Sequence, residues 1–322
     1  MKKKKILIVG GDPNSINSEI ILKCWRKISK SLRERIYIIS SYNLIKQQLK
    51  KLNYSDQIIK ISDISTNSKL DKLKIIDIDL NYKNPFNVPK KASSKFILKS
   101  LDLAHNILIN NKAQAMINCA IDKDLLNLKY SGVTEYLAMK CKIMDKSEVM
   151  LIFNKKLSVC PITTHVDLKQ VPPSLKISLL IKKIKKIDGW YRSTLKKRPK
   201  IGVLGLNPHN AEQRKHSEEE KIIKPAIKEL NRFKLDISGP FPSDTVFIEK
   251  YKNYDVIVGM YHDQVLAPFK SIFKYDAINI TLGLKYLRVS PDHGTAKNLI
   301  GKKKANSTSL LNCINFVNLH GK

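Results

Sequence analysis

The sequence predicts an α/β protein in which helices cover both faces of a largely parallel sheet, a three-layer architecture. Short runs of β-branched and aliphatic residues alternate with longer stretches whose apolar residues recur at helical spacing. The 322 residues, 43% of them hydrophobic, suffice for a substantial core and fit one large unit or two domains. No stretch approaches the ~20 uninterrupted apolar residues that cross a bilayer. We therefore expect a globular protein.

The first half of the chain opens with strand and helix in alternation. The run KKILIVGG predicts a strand, Ser18–Leu32 a helix, RIYIIS a second strand and YNLIKQQLKKL a second helix. A less regular segment extends to about Pro89. Helical spacing of apolar residues then predicts a helix over Ser94–Asn110.

The second half repeats the pattern. Further strands are predicted for AQAMINCAI, EVMLIFN, LSVCPITTH, KIGVLGLNPH, YDVIVGMYHD and DAINITLG. An amphipathic helix with a Lys-rich face is predicted from Ser174 to about Ile187, and we expect it to pack on the sheet rather than lie on a membrane. Ser217 and Glu220 form a capping box for another helix, which we expect to kink at Pro225.

The charge is strongly positive, with 59 Lys and Arg against 28 Asp and Glu, a net of +31. Only eight of these cations are Arg, and the Lys residues are spread along the whole chain instead of forming a basic tract with aromatic residues. This distribution favours a Lys-rich solvated surface over nucleic-acid recognition. A non-catalytic nucleic-acid-binding protein stays as the alternative of a different class.

The cysteines and the N-terminus indicate a cytoplasmic protein. The apolar run of MKKKKILIVGGDP ends at Gly10, too early for the core of a signal peptide. The five cysteines lack any C-x-x-C pair, so we expect reduced and mostly buried thiols rather than disulfides or a zinc-thiolate site. They are Cys24, Cys119, Cys141, Cys160 and Cys313.

Three histidines occupy the same structural context. His165, His209 and His262 each lie just beyond a strand that reads as buried. Ligands of open α/β folds gather outside the carboxyl ends of the strands, so these imidazoles are expected to converge. Three imidazoles with one open coordination position form a catalytic site for a divalent metal ion.

Polar residues near His262 predict a site for a small phosphorylated anion. Lys270, Asn279 and Arg288 offer a point charge, a neutral donor and a planar fork. Arg288 is the more telling cation because Arg is scarce in this chain. The N-terminal GGDPNSINSE has no glycine after Gly11, so it matches neither G-x-G-x-x-G nor the P-loop.

Several motifs together identify a family. TTHVDLKQVP, GLNPHNAE, GPFPSDTVF, YHDQVLAPFK and NITLGLKYLRVSPDHGTA, with GGDPNSINSEIIL and GVTEYLA, closely resemble the 4-hydroxythreonine-4-phosphate dehydrogenase family over nearly the whole chain. The resemblance implies an isocitrate-dehydrogenase-like fold, with two α/β domains and a cleft between them, and a homodimer with active sites at the subunit interface. The expected domains are 1–128 with 285–322, and 129–284.

The resemblance also implies the activity. It is the NAD-dependent oxidation and decarboxylation of 4-phosphooxy-L-threonine to 3-amino-2-oxopropyl phosphate in vitamin B6 biosynthesis. One divalent ion per subunit, Zn, Mg or Co, supports it, and NAD is bound without the Rossmann fingerprint.

Site residues follow position by position from the same resemblance. It places the metal ligands at His165, His209 and His262 and the substrate contacts at Thr134, Lys270, Asn279 and Arg288. Asp263 and Asp244 are candidates for proton transfer or for orienting a ligand, and the residues that contact NAD are not assigned.

The chain departs from the family pattern at three places. Val133 replaces the His of the family's Gly-His-Thr-Glu loop, which removes one polar contact to the substrate. The opening loop is poor in glycine, and the glycine pair expected after His209 is absent. The alternatives are therefore a dehydrogenase for a related phosphorylated hydroxy acid, or a degenerate homologue.

Overall fold

The computed structural model describes residues 4–55, 57–65, 71–126, 132–143 and 147–321. These residues form twelve strands and eleven α-helices, together with short 3₁₀ and π-helical turns. The strands are β1 (Ile6–Val9), β2 (Ile36–Ser40), β3 (Ile58–Ile61), β4 (Leu73–Asp77), β5 (Ala115–Asn118), β6 (Val149–Phe153), β7 (Ser158–Thr163), β8 (Lys200–Leu204), β9 (Asp236–Phe241), β10 (Val256–Tyr261), β11 (Ile278–Leu282) and β12 (Leu287–Pro291). The helices are α1 (Asn17–Lys27), α2 (Lys30–Arg33), α3 (Tyr42–Lys51), α4 (Lys90–Ile109), α5 (Val133–Lys140), α6 (Val171–Ser174), α7 (Ile177–Trp190), α8 (Lys224–Arg232), α9 (Ser243–Val246), α10 (His262–Phe273) and α11 (Thr308–His320). Within the described ranges, no helix is both long and apolar enough to span a membrane.

The first compact unit comprises Met1–Lys142 and Leu284–Lys322. Its strands form a parallel sheet in the order β3-β4-β2-β1-β5-β12. The central β1 is fully buried, as expected for a parallel strand covered on both faces. Apolar side chains of α4, among them Phe96 and Leu101, pack in one cluster with Leu7 and Tyr37 of the sheet.

The second compact unit comprises Ile143–Gly283, and its strand order is β11-β6-β7-β10-β8-β9. β7, β10, β8 and β9 are parallel, whereas β6 is antiparallel to both of its neighbours. Val265 and Phe269 of α10 pack in one core cluster with Val159 and Ile257 of the sheet. The carboxyl ends of β7, β10 and β8 therefore lie side by side at one edge of this sheet.

The predicted elements differ from the structure in a few places. The single helix predicted over 18–32 is wrong at its end, because α1 stops at Lys27 and the extended Ile28 separates it from α2. The segment before Pro89, predicted to be irregular, contains β3 and β4. At the kink predicted near Pro225, a π-helical turn, Glu219–Ile223, runs directly into α8, in which Pro225 is the second residue.

The chain passes from the first unit to the second after Lys142 and returns at Leu284. The boundary predicted at 128/129 lies outside the described residues. Helix α5, which carries Thr134, belongs to the first unit, although the sequence prediction assigned it to the second domain. Arg288 lies on β12 of the first unit, and the other predicted site residues lie in the second.

Candidate active site

The three predicted metal ligands follow the carboxyl ends of neighbouring parallel strands in the second unit. His165 comes two residues after β7, His262 is the first residue of α10 after β10, and His209 comes five residues after β8. Since β10 pairs with both β7 and β8, all three histidines leave the sheet at the same edge. This is the edge at which ligands of α/β folds bind.

Two of the imidazoles lie next to each other. The ring centroids of His165 and His262 are 5.8 Å apart, with the planes inclined by 39°. Nδ1 of His262 lies 2.6 Å from Oδ1 of Asp263, so Nε2 is the ring nitrogen that remains to face a ligand. A carboxylate behind a histidine is the usual way in which a protein fixes the tautomer and orientation of a metal-binding imidazole. The donors present at this edge therefore fit a divalent ion.

His209 lies in a turn of unusual backbone conformation. It and the next three residues, through Glu212, all have positive φ angles, of 49°, 55°, 55° and 47°. None of the four is glycine, so each carries the steric cost of the left-handed region. Over the described ranges, no three or more His, Cys, Asp or Glu side chains of this single chain form a group that could hold a metal ion. The structure thus brings His165 and His262 together and does not complete the predicted triad with His209.

The other predicted residues of the second unit occupy separate positions. Lys270 is exposed on α10, eight residues or about 12 Å of helical rise beyond His262. Asn279 lies on β11, and its side-chain Oδ1 is buried without a hydrogen-bond partner. Buried amide oxygens are rarely left unpaired, so this atom is available to a ligand. Asp244 is exposed on the short α9.

The predicted residues of the first unit meet at a buried guanidinium. Arg288 is 3% exposed; its Nε donates to Oδ1 of Asn118 at 2.5 Å and its Nη1 donates to Oγ1 of Thr134 at 3.2 Å. Burial lowers the pKa of Arg288 to about 10, and the nearby Glu135 opposes that shift. The guanidinium is thus still charged at neutral pH and is held in a fixed orientation by two neutral side chains.

Helix α5 positions Thr134 and is itself attached to α4. Asp102 of α4 accepts a hydrogen bond from the Tyr136 hydroxyl at 2.5 Å and pairs with Lys140 at 2.7 Å. Val133, the residue that departs from the family pattern, is partly buried and packs against the hydrophobic core of this unit. Position 133 therefore places an apolar side chain, directed to the core, next to Thr134 in the sequence.

The glycine-poor opening loop is held by side chains. The Asn14 amide donates to the carbonyl of Val88 at 2.8 Å and accepts from its N–H at 2.7 Å. Gly11 is required, because its φ is +76° and a Cβ there would lie 2.5 Å from the carbonyl oxygen of Ala120. Burial raises the pKa of the Asp12 carboxyl despite a backbone hydrogen bond from Asn14. The Asn14 side chain thus holds this loop to the backbone of Val88.

Three residues of the candidate site were missed by the sequence analysis. Asn118, which holds Arg288, ends the strand predicted from AQAMINCAI, and a polar residue at such a strand end is the signal that could have found it. Gln264 belongs to the quoted YHDQ motif, and Glu219 to the first turn after Ser217. Both bind backbone groups near the histidines, and no periodic pattern in the sequence indicates contacts of this kind.

Comparisons with known proteins agree with this architecture. A family model described as "Pyridoxal phosphate biosynthetic protein PdxA" matches residues 31–317. The 4-hydroxythreonine-4-phosphate dehydrogenase of Sulfurihydrogenibium sp. (strain YO3AOP1) is 36% identical over 319 residues, covering 96% of each chain. That of Aquifex aeolicus (strain VF5) is 35% identical over 327 residues, covering 98% of this chain and 97% of the relative.

Solved structures extend the agreement to the fold. The 4-hydroxythreonine-4-phosphate dehydrogenase of Klebsiella pneumoniae superposes with a TM-score of 0.81 at 29% identity, covering 97% of this chain and 98% of the other. A beta-decarboxylating dehydrogenase of Thermococcus kodakarensis shares the fold alone, with a TM-score of 0.50 at 10% identity over 99% of this chain and 85% of the other. The predicted α/β fold class is confirmed.

The relatives are dehydrogenases, which contradicts the alternative of a non-catalytic nucleic-acid-binding protein. The family resemblance that the motifs indicated is confirmed over nearly the whole length of the sequence. The chain therefore belongs to the family of the pyridoxal phosphate biosynthetic protein PdxA and is an oxidoreductase enzyme.

Proposed function

We propose that this protein is a cytoplasmic 4-hydroxythreonine-4-phosphate dehydrogenase that depends on NAD and on one divalent ion per subunit, Zn, Mg or Co. The secondary alcohol of 4-phosphooxy-L-threonine is oxidised to a ketone, and NAD⁺ is reduced to NADH with release of a proton. The β-keto acid then loses carbon dioxide and gives 3-amino-2-oxopropyl phosphate. The observation that carries the proposal is the pairing of His165 and His262 at the carboxyl edge of the sheet, in a chain of this family.

His165, His209 and His262 are proposed as the metal ligands. The Asp263 carboxylate orients the His262 ring through Nδ1, which supports a ligand role for Nε2. When bound, a divalent ion acts as a Lewis acid on a substrate oxygen and NAD accepts the hydride. The homodimer that the resemblance implies has its active sites at the subunit interface, and we propose that the metal site is completed there.

Thr134, Lys270, Asn279 and Arg288 are proposed to bind the phosphorylated substrate. Asn118 and Thr134 hold the buried guanidinium of Arg288, so its orientation is set before an anion arrives. The unpaired Oδ1 of Asn279 accepts a hydrogen bond from the ligand, and Lys270 contributes a positive charge. Asp263 and Asp244 remain candidates for proton transfer or for orienting a ligand, and the contact of Asp263 with His262 supports orientation for that residue.

A related phosphorylated hydroxy acid is the second candidate substrate. The observation that favours it is Val133, which packs against the apolar core beside Thr134. Valine neither donates nor accepts a hydrogen bond, so a substrate that lacks a polar group at this position fits the site better.

The test is turnover by the purified full-length protein after removal of metal with a chelator. We expect NADH to form from 4-phosphooxy-L-threonine once Zn²⁺, Mg²⁺ or Co²⁺ is restored, and not before. His165→Ala should abolish this signal. Absence of NADH with all three metals would contradict the proposed substrate.

Val133→His then separates the two candidates. If 4-phosphooxy-L-threonine is the substrate, the imidazole introduced by this substitution should lower KM or leave it unchanged. If the wild type is silent and the variant gains activity, the natural site has been redirected or degraded at this position. The same substitution should not change the far-ultraviolet circular dichroism, since Val133 is only partly buried.

A further inference from the structure

A series of buried hydrogen bonds joins the three strand ends that carry the histidines. β7 and β10 are paired by backbone hydrogen bonds as far as Thr163 and Tyr261, which brings His165 and His262 to the same place. The pairing of β10 with β8 stops earlier, at Val258 and Val203. Beyond that point β8 remains paired with β9, at Leu204 and Phe241, but no backbone ladder links its end to β10.

The side chain of Gln264 bridges this gap. It is 7% exposed, its Oε1 accepts from the N–H of Met260 at 2.6 Å, and its Nε2 donates to the carbonyl of Gly205 at 2.7 Å. Of the neutral side chains, an amide can accept at one end and donate at the other. Gly259 makes room for it and for Val265, because a Cβ there would lie 2.9 Å from Oε1 of Gln264 and 2.5 Å from Cγ1 of Val265.

Residues 205–207, which follow β8, are also held by hydrogen bonds on their other side. The N–H of Gly205 donates to the carbonyl of Phe241 at 2.9 Å. The next two N–H groups, of Leu206 and Asn207, each donate at 2.7 Å to the fully buried carboxylate of Glu219. Residues 205–207 are therefore fixed on both sides immediately before the left-handed turn at His209.

A third contact ties β7 to the same system. Oγ1 of Thr163 donates to the carbonyl of Met260 at 2.7 Å, so Met260 is held by Thr163 through its C=O and by Gln264 through its N–H. Displacement of any one strand end would break a buried hydrogen bond, which is costly. All of these contacts lie in the second unit.

We propose that Gln264 is a positioning residue that fixes the strand end carrying His209 relative to His262, by continuing the β10–β8 connection past the end of its backbone ladder. This inference rests on the proposed function, in which both histidines bind the metal. Both ends of the Gln264 amide are occupied by backbone groups, those of Met260 and Gly205. Gln264 orients the backbone that presents the ligands, and such supporting contacts commonly control metal affinity by about 10- to 100-fold.

The test compares three variants of the full-length protein. Gln264→Met keeps the length of the side chain and removes both hydrogen bonds. Gln264→Glu keeps the acceptor for Met260 and loses the donor to Gly205, which isolates the link to β8. Asn154→Leu is the matched control, because Asn154 is 8% exposed and its amide also accepts from one backbone N–H, of Lys156, and donates to one backbone carbonyl, of Asp276. Asn154 lies beyond the opposite end of β7 from Thr163, and β7 itself spans about 17 Å.

The first measurement is a Co²⁺ titration of the chelator-treated protein, followed by the visible absorption of the bound ion. We expect Gln264→Met and Gln264→Glu to weaken Co²⁺ binding by about 10- to 100-fold, and Asn154→Leu to leave it unchanged. Wild-type affinity in folded Gln264→Met and Gln264→Glu would overturn the inference while leaving the metal site intact. A wild-type chain that binds no Co²⁺ would overturn the metal part of the proposed function.

The second measurement is backbone hydrogen exchange, which needs no metal. The amides of Leu206 and Asn207 should exchange about 10-fold faster or more in both Gln264 variants, and at the wild-type rate in Asn154→Leu. Unchanged exchange at these two amides would overturn the positioning role whether or not the protein binds Co²⁺.

Discussion

Replacement of Ala211 by glycine tests the strain in the turn that follows His209. Ala211 is fully buried and has a φ of +55°, between two other left-handed residues. An L-residue in this region costs roughly 1–2 kcal/mol, whereas glycine adopts it without a steric penalty. Ala211→Gly should therefore release that energy in the folded state.

The matched control is Ala226→Gly. Ala226 is also fully buried and lies in α8 of the same unit, with ordinary helical geometry. Both substitutions lose about 0.8 kcal/mol of methyl burial, and the added freedom of glycine in the unfolded chain costs roughly 0.5–1 kcal/mol more. Ala226→Gly should thus destabilise by about 1.5 kcal/mol, while Ala211→Gly should be close to neutral, since relief of the left-handed strain offsets the same losses.

Equilibrium urea unfolding measures the difference. Trp190 lies in the second unit and Trp25 in the first, so fluorescence in a Trp25→Phe background reports the unit that contains both alanines. The two variants should differ by about 1–2 kcal/mol in the free energy of unfolding. Equal destabilisation by both substitutions would refute the argument that Ala211 stores backbone strain.

Two further predictions concern buried cations. Lys74 is fully buried, donates to the carbonyl of Glu34 and lies 4.4 Å from the centroid of the Tyr37 ring; burial lowers its pKa from 10.5 to about 8. The unfolded chain binds more protons than the folded chain between these two pKa values, so the free energy of unfolding of the wild type should rise between pH 8 and pH 10.5. Lys74→Met should be more stable than the wild type at pH 7 by about 1–3 kcal/mol and should lack that rise. Urea unfolding of both proteins across this pH range measures the effect, and parallel pH dependences would contradict it. Arg288→Lys keeps the charge but loses the fork that binds its two partners, so kcat/KM for 4-phosphooxy-L-threonine should fall about 10- to 100-fold, while the exposed Arg192→Lys should have no effect on the same assay.

The sequence by itself determined the fold class, the family and most of the elements. β1, β7 and β10 are short β-branched runs whose burial on both faces leaves little other choice of structure. α4 is set by its helical spacing of apolar residues. The sequence also placed the three histidines just beyond strands, because the end of an apolar run is visible in the neighbouring residues alone.

Tertiary structure decided which of those residues meet. β3 and β4 interrupt their apolar residues with Lys60 and Lys74, so the segment did not read as strands; in the folded chain β4 pairs with β2, and β3 pairs with β4. His165 and His262 meet because the β7–β10 ladder runs to the end of both strands, while the β10–β8 ladder stops at Val258 and Val203, so that β8 is linked to β10 beyond that point by the side chain of Gln264. The length of a ladder depends on two strands distant in sequence, so no local pattern encodes it. Hydrogen bonds such as those of Gln264 and Asn118 form only after the strands are assembled, and for that reason only the folded chain reveals them.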